Sequence, residues 1–119
     1  MGRKTQNISP TEAMPTTIFL VNAASAGETK EYKFTDGSIK YFEKRLRNSF
    51  DYTMIDNIGN GQVRVSYNRP SLNITNYING AKTLKAGDSI YIEESVWFVK
   101  IYYIENSTVE LILKSDKDI

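Results

Sequence analysis

Val96-Trp97-Phe98-Val99-Lys100-Ile101-Tyr102-Tyr103-Ile104-Glu105-Asn106-Ser107-Thr108-Val109-Glu110-Leu111-Ile112-Leu113-Lys114 is the stretch on which the fold turns. Two long runs of β-branched and aromatic residues flank Glu105-Asn106-Ser107, a pattern that predicts two strands joined as a hairpin. Side chains alternate across a strand, so Trp97, Val99, Ile101 and Tyr103 share one face and Phe98, Lys100, Tyr102 and Ile104 the other. Both faces carry aromatic bulk. One is expected in a core, and the other against a partner subunit or a stacked sugar ring.

Shorter segments of the same kind precede it. Thr16–Asn22 is a β-branched and aromatic run closed by Ala23-Ala24-Ser25-Ala26-Gly27. Residues 29–35 alternate, with Tyr32 and Phe34 opposite Lys33. Asp36-Gly37 then predicts a hairpin into a returning strand over Ile39–Arg47. Its apolar positions change parity, which places a bulge near Tyr41–Phe42 or a helical turn there. Tyr52–Ile55 and Gln62–Tyr67 flank the turn-rich Asp56-Asn57-Ile58-Gly59-Asn60-Gly61 and predict a further hairpin. Pro70 ends that second strand, because proline cannot donate to a ladder. Residues 71–88 read as a short helix or a loop packing Leu72, Ile74, Tyr77 and Ile78, and Lys85-Ala86-Gly87-Asp88 turns into a strand over 89–93. Residues 1–15, polar and holding Pro10 and Pro15, read as a mobile N-terminal arm; residues 16–114 as one domain; residues 115–119 as a frayed tail. The fold class is therefore all-β: an antiparallel β-sandwich of about eight strands, in the jelly-roll form or, as the alternative, a partly open barrel.

Composition narrows the chemistry. The 119 residues include no cysteine and no histidine. That excludes disulfides, thiolate or imidazole metal sites, cysteine nucleophiles and Ser-His-Asp catalysis. At this length about two-thirds of the chain's surface is buried on folding, enough for a core without such staples. Lys and Arg number 15 against 14 Asp and Glu, a formal charge of +1. Such a balance supplies no bulk attraction to nucleic acid or an anionic membrane. No apolar run is long enough for a membrane helix or a signal-peptide core, so the chain reads as soluble and unsecreted.

The remaining constellations have plain readings beside their functional ones. Lys40, Lys44, Arg45 and Arg47 interleave with Tyr41 and Phe42, and with Arg64 could grip single-stranded nucleic acid in the manner of an OB fold. On a strand, however, those charges divide between two faces, as on a solvated edge. Glycosidic cleavage needs two carboxyls about 5–9 Å apart across a cleft, and nothing in the sequence pairs any two. Asp56–Gly61 has oxygen ligands among glycines but lacks EF-hand spacing, and ordinary loop chemistry explains it. The Asn-x-Ser/Thr triplets at Asn7, Asn73 and Asn106 read as chance in an Asn-rich chain. No catalytic residue, cofactor or metal is expected.

Gly80-Ala81-Lys82-Thr83-Leu84-Lys85-Ala86-Gly87-Asp88-Ser89-Ile90, running into 96–104 and 107–113, resembles in style the small β-sandwich proteins of tailed-bacteriophage virions, the head-decoration or fibre-associated subunits. The Asn, Ile and Tyr bias and the polar arm add to the likeness. It implies a non-enzymatic virion subunit that assembles with copies of itself or docks on a capsid or tail protein. Arg3, Lys4, Pro10 and Pro15 of the arm would then reach a neighbour, and Trp97, Phe98, Tyr102 and Tyr103 would form the sheet-face interface. The alternatives are a carbohydrate-binding module using exposed Trp and Tyr, and the nucleic-acid binder above.

Overall fold

The computed structural model describes residues 16–34, 40–42, 45–46, 50–76 and 79–115. Ten strands follow in order: β1 (Thr16–Ala24), β2 (Thr29–Lys33), β3 (Lys40–Phe42), β4 (Arg45–Leu46), β5 (Tyr52–Asn57), β6 (Val63–Tyr67), β7 (Lys82–Leu84), β8 (Ser89–Ile92), β9 (Phe98–Tyr103) and β10 (Ser107–Ser115). Sheet 1 has the order β1-β10-β5-β8 and sheet 2 the order β2-β9-β6-β7, while β3 and β4 pair separately. All ladders are antiparallel.

This order has a simple origin. The pairs β1·β10, β2·β9, β5·β8 and β6·β7 belong to one long ribbon whose arms are β1-β2-β5-β6 and β7-β8-β9-β10. Rolling the ribbon up adds β10·β5 and β9·β6 and closes the two sheets face to face. The result is a jelly-roll β-sandwich, as the spacing of strands and turns predicts.

Strand positions match the sequence pattern more closely than strand partners do. β9 and β10 do not form a hairpin: they are inner strands of opposite sheets, and residues 104–106 arch between them. β5 and β6 also lie in opposite sheets. The cause is the side-chain chemistry of the connectors. Asn57 is buried, donating from Nδ2 to the carbonyls of Gly61 (2.7 Å) and Leu84 (3.0 Å) and accepting at Oδ1 from Ser107 Oγ (2.7 Å) and the Gly59 amide (3.3 Å). The Ile58 and Gly59 amides donate to the Thr108 carbonyl, and the Gln62 amide donates to Glu105 Oε1 at 2.7 Å. A Cβ on Gly59 would run into Ser107 Oγ and the Thr108 amide. Hence the Asn57 oxygen, which the loop's composition offers to a cation, is occupied by protein donors. The β1–β2 and β7–β8 connectors join the same end: Gly27 N donates to the Tyr103 carbonyl, Ala26 N to Asn106 Oδ1, and Gly87 N to the Asn57 carbonyl.

Asp36 and Gly37 lie outside the described residues. β2 pairs with β9 and β3 with β4, so the expected β2–β3 hairpin does not form among the described strands. The β3·β4 register shifts between Lys40 and Phe42, where the parity change places an irregularity. Phe34 and Phe50 bracket this excursion and meet edge-to-face in the core at 5.2 Å, both fully buried.

Between the sheets lie Ile55, Val109, Leu111 and Leu113 from sheet 1 and Val63, Val65, Val99, Ile101 and Tyr103 from sheet 2. Sheet 2 is covered on its outer face as well. Of the stretch 71–88, read as a short helix or a loop, the part up to residue 76 is a loop with Ile74 buried, Lys82–Leu84 is strand β7, which neither reading predicts, and Tyr77 and Ile78 lie outside the described residues. Lys100 Nζ donates to the Pro70 and Leu72 carbonyls, both at 2.8 Å, and Arg64 Nη1 to those of Ile74 (2.8 Å) and Thr75 (3.0 Å).

Candidate functional site

The outer face of sheet 1 has no such cover among the described residues. Alternation turns Ile18, Leu20, Leu111, Leu113 and Ile55 inward, leaving the opposite parity outside. The registers then align one residue from each strand. Phe19 pairs with Ile112, Ile112 with Met54, and Met54 with Tyr91. An apolar row therefore crosses the full width of the sheet. Phe19 is 60% exposed and Tyr91 51%, while Val21, beside Phe19 on the same strand face, is 59% exposed. Tyr52 stacks on Tyr91 with ring centroids 6.0 Å apart and planes 7° apart. Next to the row stand Val21, Glu110, Asp56 and Ser89, in which Glu110 and Asp56 are direct cross-strand neighbours. Lys114 lies beyond Ile112 on the other side. Ile112 and Met54, between them, are half-buried, so the exposed bulk stands at the two ends of the row, at Phe19 with Val21 and at Tyr91; apolar surface of this kind marks contact surfaces.

Sequence reasoning directs attention to β9 instead. Phe98 and Tyr103 are buried inside this chain, Phe98 under the 69–76 side of sheet 2 and Tyr103 between the sheets. They offer no surface to a partner. Trp97 and Tyr102 are half-buried. Tyr102 lies under the Arg64 guanidinium, 5.7 Å from ring centroid to Cζ, and Arg64 and Tyr102 are paired across β6·β9. The structure thus joins a residue of the expected aromatic interface to a residue of the expected nucleic-acid set, in a contact that fastens a loop. Lys40 and Arg45 lie on β3 and β4. Arg3, Lys4, Pro10, Pro15, Lys44 and Arg47 lie outside the described residues.

Tyrosine hydroxyls show where this sandwich is held. Tyr103 Oη accepts from Asn22 Nδ2 (3.0 Å) and donates to the Asn22 carbonyl (2.8 Å), tying β1 to sheet 2. Burial raises the Tyr103 pKa, opposed by the Asn22 hydrogen bond and aided by Glu28. Burial likewise raises that of Tyr32, with Tyr103 adding to it. Tyr67 donates to Glu94 Oε2 at 2.8 Å, and this bond raises its pKa. Among the described residues no helix is long and apolar enough to cross a membrane.

What fold and surface define is an eight-stranded jelly-roll sandwich with one sheet face covered by its own loop and the other, among the described residues, uncovered and crossed by an apolar row. No protein-family profile matches the chain, and no curated protein matches it. It is similar to a solved structure described as "Bacillus endospore appendages form a novel family of disulfide-linked pili", at 9% identity, covering 94% of this chain and 96% of that one, with a TM-score of 0.49.

Proposed function

We propose that the chain is a non-enzymatic structural subunit that acts through protein–protein contact, with the outer face of sheet 1 as its working surface. The row Phe19–Ile112–Met54–Tyr91 carries this reading: it is apolar and runs across all four strands of the sheet, a surface suited to lying against another protein. A chain without histidine or cysteine has few routes to acid–base or nucleophilic chemistry, which agrees with a contact role. Within this class we assign it to the virion, as a capsid-decoration or auxiliary protein of a tailed bacteriophage. The jelly-roll architecture and the stylistic likeness of residues 80–113 to such subunits support that assignment.

The test is association. Light scattering at micromolar concentration is expected to show a defined oligomer, or the chain to co-sediment with tailed-phage capsids. A strict monomer with no affinity for such capsids overturns the reading.

A further inference from the structure

Four strands form the edges of the two sheets: β1 and β8 in sheet 1, β2 and β7 in sheet 2. Open edges invite pairing with another chain, and proteins blunt them with charge, proline, bulges or brevity. β2 carries Lys30, Glu31 and Lys33, and β7 is three residues long with Lys82. β8 has four residues, bracketed by Asp88 and by Glu93 and Glu94. Within its own span β1 has none of these features, although Pro15 directly precedes it in the sequence. It runs nine residues, Thr16-Thr17-Ile18-Phe19-Leu20-Val21-Asn22-Ala23-Ala24, uncharged, without proline or glycine, and in unbroken register with β10.

Which of its backbone groups are free follows from its neighbour. The Thr108 and Lys114 carbonyls accept from residues flanking β5, so the even-numbered residues of β10 turn their amides toward β5 and the odd-numbered ones toward β1. By the registers Leu20↔Leu111 and Asn22↔Val109, the even-numbered residues of β1 complete that ladder. Thr17, Phe19, Val21 and Ala23 therefore present N–H and C=O to the open edge, with no strand paired there among the described residues.

Resting on the assembly reading above, we infer that this edge pairs with β1 of a second copy of the chain, antiparallel about a two-fold axis at Leu20. The sequence is self-complementary in that register: Phe19 faces Val21 of the partner copy, Thr17 faces Ala23, and Leu20 faces Leu20. Every free N–H then meets a free C=O, because each facing pair exchanges two hydrogen bonds. The two most exposed apolar side chains of the strand cover one another, and no charge stands opposite a like charge. Sheet 1 becomes an eight-stranded sheet, and the isologous contact closes on itself. Pairing of β1 with the β8 edge of the next copy would instead grow an open polymer; the length of β8 and the acidic residues around it disfavour that partner.

Disulfide trapping tests the register in a protein with no native cysteine. Phe19→Cys and Val21→Cys are both at exposed positions, and mixed copies are expected to cross-link rapidly under mild oxidation. Either variant alone meets its like only on the diagonal, where disulfide geometry is poor, and is expected to cross-link at least tenfold more slowly. In a parallel measurement, Phe19→Lys and Val21→Glu copies are each expected to lose self-association and to regain it when mixed. A chain that associates but shows no advantage of the mixture in either measurement overturns the pairing and leaves the assembly reading standing, as does a monomer that binds capsids. A monomer that binds no capsid overturns both.

Discussion

Tyr103 shows how much one side chain can hold. Its ring fills the core while its hydroxyl serves the edge strand β1 through both the side chain and the carbonyl of Asn22. Tyr103→Phe is expected to cost about 1–2 kcal/mol, the usual cost of leaving a partly buried amide without its partner, read as a lower urea midpoint at unchanged slope. The pH dependence follows from the raised pKa values of Tyr103 and Tyr32. Below about pH 10 both are protonated in folded and unfolded chains alike, and their contribution is fully present. Above it the unfolded chain loses protons that the folded one keeps, so stability falls as pH rises through the folded values. Urea midpoints at pH 9 to 11 should show that fall, and a shallower one in Tyr103→Phe. At this scale the sequence hides most: that Tyr103 is aromatic and strand-borne is legible, but its bond to Asn22 is not. Asn57 likewise reads as a loop residue, whereas burial and four hydrogen bonds make it the knot of the sandwich end.

At the scale of elements, β1 separates edge from ladder residue by residue. The Val21 N–H points to the open edge and that of Leu20 into the β1·β10 ladder. Val21→Pro is therefore expected to leave the urea midpoint closer to that of the parent than Leu20→Pro does, because proline is tolerated where the N–H side faces solvent, and to abolish self-association in sedimentation velocity. Leu20→Pro deletes a ladder bond and is expected to destabilise by about 1–3 kcal/mol, the cost of leaving its β10 carbonyl partner unsatisfied. Equal urea midpoints for the two variants would contradict the assignment of the edge. β1 was legible as a strand from its β-branched run, yet nothing local distinguishes an edge from a centre. Its one hint is that both parities are apolar, Phe19 and Val21 as well as Ile18 and Leu20, more than one core face requires. The aromatic residues at 97–103 gave the contrary hint, but Tyr103 fills the space between the sheets and Phe98 is buried on the side that the 69–76 loop, held by Lys100 and Arg64, covers.

Across the whole molecule, the all-β class and most strand positions follow from alternation and turn residues, while the partnerships do not. Asn, Gly and Asp serve equally a hairpin and an arch between sheets, so Asp56–Gly61 and Glu105–Ser107 read as the former and fold as the latter. The apolar row was illegible for the same reason. Residues 19, 54, 91 and 112 are far apart in sequence and meet only through three ladder registers. Within the sandwich, the shortest connection between paired strands spans residues 68–81, from β6 to β7. Sandwiches built on non-local pairing fold in milliseconds to seconds, and stopped-flow refolding of this chain is expected in that range. A microsecond phase that carries the full amplitude would contradict the topology.

The inner position of β10 in sheet 1 also bears on how the protein is made. Ribosomes deliver β1 early and β10 only after the other strands of the sandwich have emerged. During that interval the uncharged apolar stretch at 16–24 has neither edge paired, so a growing polysome displays many copies of the segment least equipped to repel its own kind. Yield in cells should therefore be governed by how fast residues 107–115 arrive, and by whichever chaperone shields Phe19 and Val21 until they do.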